Sequence, residues 1–258
     1  MSPRLGIAGI AGRMGRLLAE EAGAHLAGGT LRPGETGPEG AAIFPDAVAL
    51  AAASDVVIDF THASAVQPHA EAFAAAGTAW VLGTTGLSEA DEQAVAAAAA
   101  RIPVIAAPNF SPGVNLVLAL AERMAAALPG AEYDAEIIEM HHRQKVDAPS
   151  GTALGLARAV AAGRGVLLDE VMESGRHGHT GPRKPGAIGL AALRGGQVIG
   201  EHTLLFAAAD EQIALTHRAF DRRVFARGAI RAALWLHGRP PGLYGMAEML
   251  GVAEPRKP

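Results

Sequence analysis

Cysteine is absent from this chain, which excludes a disulfide framework, a thiol nucleophile and a thiolate metal site. Positive charge is not in excess: 22 Lys and Arg stand against 26 Asp and Glu, for a formal net charge of −4. That balance gives no basis for non-specific nucleic-acid binding. No apolar run is long enough to span a bilayer, the alanine tract at 96–100 being short and weakly apolar. The first residues, Met1-Ser2-Pro3-Arg4, lack the pattern of a signal peptide, so a cytoplasmic protein without membrane contact is expected. What is present is apolar material, half of 258 residues, punctuated by 32 glycines. This length accommodates one large domain or two smaller ones around a substantial core.

Residues 5–8 form an apolar run that passes straight into glycines, 13–24 have helical composition and 25–31 read as a second strand. This is a β-α-β opening. Residues 32–40, rich in Gly, Pro and Glu, make a surface loop. Strands follow at 56–60, 79–82 and 103–106, with a helix at 63–76 closed by Gly77 and another ending at Ala100. Ser88 and Asp91 have the spacing of a cap for that second helix. The strands are apolar throughout, as in a parallel sheet covered on both faces. Beyond Asn109 the texture changes to a helix at 112–128, a strand at 134–140, a helix at 151–162 and a Gly/His/Arg/Pro-rich loop at 174–186. Residues 189–193, 198–207 and 212–219 read as adjacent antiparallel strands, and an amphipathic helix covers 225–237. The expected architecture is α/β. A doubly wound parallel sheet forms a dinucleotide-binding domain from 1–109 with 221–258, and 110–220 form a second α+β domain with a mixed or antiparallel sheet.

The turn after the first strand, Gly9-Ile10-Ala11-Gly12-Arg13-Met14-Gly15, opens a helix. Glycines there let backbone N–H groups approach a pyrophosphate, although Ala11 replaces the second glycine of the strict G-x-G-x-x-G pattern. A tight turn that binds something else would look similar. An acid at the end of the second strand would hold the ribose hydroxyls of NADH, but Thr30-Leu31-Arg32-Pro33 has none. Arg32 is therefore a candidate ligand for a 2′-phosphate, and NADPH is the expected cofactor, with NADH possible. Gly83-Thr84-Thr85-Gly86 and Pro108-Asn109-Phe110-Ser111 each follow a strand, where such sheets bind ligands.

The densest chemistry lies in Glu139-Met140-His141-His142-Arg143-Gln144-Lys145-Val146-Asp147-Ala148-Pro149-Ser150-Gly151-Thr152-Ala153. Adjacent histidines at a strand end point to opposite faces and have different tasks. Histidine relays protons near neutral pH, and lysine supplies a fixed charge or a proton. Ser150 caps a helix whose start, at Gly151 and Thr152, exposes N–H groups to an anion. Together these groups suit a substrate with carboxylates. Glu139 and His141 share a face, yet no third ligand has metal spacing, so no metal is expected. Asp147 reads as a loop anchor or a partner for a cation. Arg176, His177, His179, Arg183 and Lys184 form a second cationic loop, read mainly as solvated.

The His-His-x-x-Lys-x-Asp-Ala-Pro-Ser-Gly-Thr core closely resembles the signature of the 4-hydroxy-tetrahydrodipicolinate reductase (dihydrodipicolinate reductase) family. The resemblance extends through Gly12-Arg13-Met14-Gly15, Asp59-Phe60-Thr61, Gly83-Thr84-Thr85-Gly86, Asn109-Phe110-Ser111, Gly178-His179-Thr180-Gly181, Gly200-Glu201-His202-Thr203 and Ala233-Leu234-Trp235-Leu236. It implies a Rossmann-type cofactor domain, a mixed α/β domain that binds substrate and builds a homotetramer, and the nicotinamide-dependent reduction step of lysine and diaminopimelate biosynthesis. By position, it implies His141 as general acid/base, Lys145 as proton donor, and His142, Ser150, Gly151 and Thr152 as ligands of the substrate carboxylates. Gly9, Ile10, Ala11, Gly12, Arg13 and Met14, Gly83, Thr84 and Thr85, and Ala107, Pro108, Asn109 and Phe110 would contact the cofactor. Where members that use NADH well carry an acid, this chain has Leu31, which supports NADPH. A dehydrogenase of another small oxo or imino acid, or a nucleotide sensor without turnover, are the other readings; the proton-relay cluster speaks against the sensor.

Overall fold

The computed structural model describes residues 2–252. Met1 and residues 253–258, the latter assigned above to the first domain, lie outside the described residues. The chain divides into two units, one running to Pro112 and resuming at Arg223, the other Gly113–Arg222.

The first unit runs β1 (Leu5–Ala8), α1 (Arg13–Ala22), β2 (Leu26–Thr30), β3 (Ile43–Phe44), α2 (Ala47–Ala53), β4 (Val56–Asp59), α3 (Val66–Ala76), β5 (Ala79–Leu82), α4 (Glu89–Ala99) and β6 (Pro103–Ala106). In the second unit α5 (Pro112–Ala127, whose first residue belongs to the first unit) leads to β7 (Asp134–His141), α6 (Gly151–Arg164), α7 (Leu168–Val171), β8 (Met172–Ser174), β9 (Ile188–Arg194), β10 (Gly200–Ala207) and β11 (Gln212–Ala219). The first unit resumes with α8 (Arg223–Leu236), β12 (Gly242–Tyr244) and α9 (Met246–Met249).

The first unit's sheet has the order β12-β6-β5-β4-β1-β2-β3, with every pairing parallel. Its continuous apolar strands are sorted by the two-residue alternation of side chains. Val56, Ile58, Val81 and Ile105 join the core under α1 and α8, while Val57, Trp80, Leu82 and Val104 join the core under α2, α3 and α4. This Rossmann-like double layer matches the expected fold class. Ser88 and Asp91 close a reciprocal capping box at the start of α4.

The second unit's sheet has the order β11-β10-β7-β9-β8. Here the expectation of three adjacent antiparallel strands needs correction. β10 pairs antiparallel with both β11 and β7, but β9 runs parallel to β7 on its other side. Glycine punctuation marks strand ends without encoding which strands become neighbours. α5 and α6 cover one face, where Ala121, Leu156, Val160, Ile137, Leu204 and Phe206 form the core. In the loop before β9, Arg176, His177, His179 and Lys184 are exposed, as expected of a mainly solvated segment, and Arg183 is the exception. The half-buried Arg183 binds Glu136 (2.8 Å), Asp134 (2.7 Å) and the Ala135 and Ala187 carbonyls (2.9 and 2.6 Å), stapling the loop to the start of β7.

Candidate active site

In the first unit the chain runs from β1 outward to β2 and β3, then crosses to β4 on the other side. The turn after β1 therefore sits at the point where a doubly wound sheet opens a crevice for nucleotides. Gly9 has φ +72°, a left-handed conformation, and its carbonyl accepts the Gly12 N–H at 3.0 Å. A Cβ on Gly15 would lie 2.2 Å from that same carbonyl, so the helix can approach the strand only with glycine there. Gly12 caps α1 without a side-chain bond, and the first turn carries no acid. With the Gly9, Ile10 and Gly12 N–H groups already bonded, those at the start of α1, on Arg13 and Met14, are left for an anion, a fit to a pyrophosphate.

The predicted cofactor residues are not equivalent. Ile10 is buried and its N–H binds the Thr30 carbonyl at 3.0 Å, while Gly9 N–H binds Thr30 Oγ1 at 3.2 Å. Phe110 is also a core residue, its ring edge-on to Phe60 at 5.4 Å. Neither offers a side chain to a ligand. Arg13, Thr85 and Pro108 are exposed, Ala11, Met14, Gly83 and Asn109 half-buried, and Ala107 buried. Thr84 is buried and donates to the Thr61 carbonyl at 3.2 Å. Arg32 is 82 % exposed and its guanidinium is held by Glu35, with the Nε contact at 3.0 Å.

The Asp59-Phe60-Thr61 motif pointed to one further group at this rim, without a role. Asp59, fully buried at the end of β4, accepts from Thr61 N–H (2.9 Å), Thr61 Oγ1 (2.6 Å) and His69 Nδ1 (2.7 Å). This fixes the backbone that receives Thr84.

In the second unit β7 carries Glu139 and His141 inward together, two residues apart on one face. Their side chains meet at 2.6 Å, His141 Nδ1 to Glu139 Oε2. Burial is the largest influence on His141 and lowers its pKa below 6.5; Glu139 opposes this, and the Lys145 and Arg194 charges add to the lowering. Glu139 is only 1 % exposed, and burial favours its neutral form, but bonds from Arg194, His141 and the Ser150 N–H outweigh this and hold its carboxyl below the usual range. The carboxylate is thus ionised and the imidazole neutral near neutral pH, with Nδ1–H directed at Glu139 and the Nε2 lone pair free to accept.

His142 has different partners, as the alternation of a strand end requires. Its Nε2 lies 3.4 Å from Arg222, and its buried Nδ1 has no hydrogen-bond partner. Lys145 Nζ is bound by both oxygens of Asp147 at 2.9 and 2.8 Å, so the anchoring role expected of Asp147 falls on Lys145 itself. Ser150 Oγ accepts Ala153 N–H at 3.2 Å, which caps α6. The first turn of α6 holds no acid, and Gly151 is exposed there. No group of three or more potential metal ligands occurs among the described residues.

Two residues from distant strands complete the cluster. His202 is directly opposite Glu139 in the β7–β10 pairing, and Arg194 is opposite His141 in the β7–β9 pairing. His202 Nε2 meets Ser150 Oγ at 3.0 Å, and its ring stands edge-on to His141 at 5.1 Å. Burial first, then the neighbouring His141, pushes His202 down to about 4. The Gly200-Glu201-His202-Thr203 motif pointed toward His202, but nothing in the sequence pointed to Arg194.

The chain matches the family described as "Dihydrodipicolinate reductase, N-terminus" over residues 3–110 and "Dihydrodipicolinate reductase, C-terminus" over residues 113–250. It is 71 % identical to a 4-hydroxy-tetrahydrodipicolinate reductase of Granulibacter bethesdensis, covering 97 % of this chain and 98 % of that one. It is 62 % identical to the protein of the same name from Gluconacetobacter diazotrophicus, covering 96 % and 97 %. A solved dipicolinate-bound dihydrodipicolinate reductase from Paenisporosarcina sp. TG-14 is similar with a TM-score of 0.75 at 25 % identity, over 96 % of this chain and 99 % of that one.

Proposed function

Because this chain belongs to the dihydrodipicolinate reductase family, we propose that it is an oxidoreductase that reduces 4-hydroxy-tetrahydrodipicolinate to tetrahydrodipicolinate with NAD(P)H, in lysine and diaminopimelate biosynthesis. The observation that carries this reading is the cluster in the second unit. A neutral His141 with its Nε2 lone pair free, a lysine ammonium and an acid-free, glycine-opened helix start are assembled on residues 141–152.

A bound nicotinamide cofactor supplies hydride to the substrate ring. The glycine turn Gly9–Met14 would hold its pyrophosphate at the start of α1, and Thr84, Thr85 and the backbone of 107–110 would contact the rest of the cofactor. The α6 start, through Gly151 and Thr152, and His142 bind the substrate carboxylates. The 4-hydroxyl leaves as water and the unsaturated ring that results takes the hydride; Lys145 offsets the carboxylate charge and donates the proton that completes reduction, leaving its Asp147 partner as it does so. His141 acts as the acid/base through Nε2. Preorganised positive charge that polarises an unsaturated ring toward hydride contributes most where charge develops in the transition state.

NADPH is the preferred cofactor in this reading. Thr30 and Leu31 leave no acid for the ribose hydroxyls at the end of β2. Arg32 is the candidate for the 2′-phosphate and would exchange Glu35 for it. The enzyme works in the cytoplasm as a homotetramer. Support for assembly comes from the face of the second sheet opposite α5 and α6, where Ile138 and Leu193 are exposed large apolar residues.

The test couples pyruvate and aspartate semialdehyde through a synthase and follows nicotinamide absorbance with NADPH or NADH. Oxidation that requires the complete synthase mixture, faster with NADPH, is expected. A protein that binds NADPH but oxidises none would overturn the substrate, and equal rates would overturn the preference.

A further inference from the structure

The buried carboxylate of Glu139 is fully bonded within the second unit's cluster, yet it has no role in the chemistry proposed for His141 and Lys145. Its two oxygens take four N–H contacts. Oε2 receives His141 Nδ1 at 2.6 Å and Arg194 Nη1 at 2.9 Å, and Oε1 receives Ser150 N–H at 3.1 Å and Arg194 Nη2 at 2.9 Å. That exhausts the lone pairs of a carboxylate. Arg194 reaches further and donates to the Asp147 carbonyl at 2.5 Å. One ion pair therefore touches the strand that carries His141, the loop that carries Lys145 and the first residue ahead of α6.

Strand register explains how these groups come together. Glu139 and His141 share a face of β7, and the parallel pairing sets Arg194 across from His141 at the end of β9. A carboxylate buried this deeply is strongly unfavourable without such partners, so a purely packing role would be filled more stably by an apolar residue. Beyond His141 Nε2 the wall is Gly200, where an added Cβ would lie 3.1 Å from that nitrogen. The ring is thus held at Nδ1 and given room at Nε2.

We propose that Glu139, clamped by Arg194, is a positioning residue that locks His141 in its Nδ1–H form, aims Nε2 at the substrate and ties that ring to the start of α6. The catalytic part of this inference rests on the reading of His141 as the acid/base; the tautomer part does not. The charged and titratable groups that face His141 are Glu139 on its own strand, Arg194 on β9, Lys145 in the following loop and His202 on β10.

The experiment is Glu139→Gln in the full-length protein with ¹⁵N-labelled histidine. A glutamine can keep its oxygen on Arg194 and offer its amide N–H to Nδ1, which selects the opposite tautomer. The His141 nitrogen resonances are expected to change from the Nδ1–H to the Nε2–H pattern. Turnover should fall on the order of a hundredfold or more, with KM for NADPH within about twofold. An unchanged tautomer, or turnover within a few-fold of the parent, would overturn the proposal. If Glu139→Gln does not fold, Arg194→Gln is the second variant. It leaves the Glu139–His141 bond but removes a positive neighbour, so the acidic limb of the kcat/KM profile should move to higher pH and Arg194→Lys should restore it in part. An unmoved limb would overturn the clamp. A tautomer change in a protein whose parent reduces no substrate would support the clamp and overturn the reading of function instead.

Discussion

At the scale of single residues, groups that carry charge to the substrate stand apart from groups that must stay neutral. Lys145 is the charge-bearing member of the proposed catalytic pair, and it is held by Asp147 rather than by a buried acid. Lys145→Ala is therefore expected to lower kcat by about 10²- to 10⁴-fold while leaving the Kd for NADPH unchanged. A variant that loses cofactor affinity but keeps turnover would contradict the assignment; stopped-flow turnover and nucleotide titration measure the two. His202 gives a stability prediction. Its folded pKa of about 4 lies below the ordinary 6.5, so between those values the unfolded chain binds a proton that the folded chain does not. Stability is complete above pH 6.5 and falls as the pH drops toward 4. The distance from 6.5 to about 4 corresponds to about 3 kcal/mol for this 4 %-exposed side chain, and His141 acts in the same direction. His202→Gln should flatten the acid loss in urea titrations run from pH 7 to pH 4.5; an unchanged slope would mean that other groups cause it. Much of this chemistry was legible because His141, Lys145 and Ser150 fall in one run of sequence. Arg194 was not, since an arginine at a strand end has no local mark and reaches the site only through strand pairing.

At the scale of elements, the parts that read correctly are those whose cause is local. Ser88 with Asp91 announced α4, and Ser150 announced α6, because a cap is a bond between residues three apart. β3, α2, α7, β8, β12 and α9 went unread. β3 is two residues long, α2 is about two alanine-rich turns behind Asp46, α7 and α9 have four residues each, and β8 and β12 are three-residue strands without a periodic pattern. β9 was seen as a strand, but its direction depends on β7, more than forty positions away in register. The glycine turn makes a prediction at this scale. Since an added methyl at Gly15 would meet the Gly9 carbonyl at 2.2 Å, Gly15→Ala must push α1 off β1 and open the anion cradle. NADPH affinity should fall at least about tenfold, an effect of roughly 1.4 kcal/mol, with the KM for the proposed dicarboxylate substrate changed much less. Fluorescence titration with NADPH and steady-state kinetics would show it, and unaltered NADPH affinity would refute the cradle.

At the scale of the whole molecule, the chain leaves its first unit at Pro112 and returns at Arg223, so α8 closes one face of a sheet whose strands lie mostly more than a hundred residues earlier. Assembly is the other question at this scale. With Ile138 and Leu193 exposed on the uncovered face of the second sheet, a second copy of that face is the expected partner. Sedimentation velocity should give a tetramer for the parent and smaller species for Ile138→Asp; a monomeric parent would remove the oligomer from the account. The central claim, hydride transfer to a dicarboxylate ring, is tested most directly by isotope. The coupled synthase reaction is run in ordinary water with NADPH deuterated at the transferable position of the nicotinamide, and the product is weighed by mass spectrometry. Tetrahydrodipicolinate that carries the deuterium is expected. Unlabelled product, or nucleotide oxidation with no reduced ring, would contradict it.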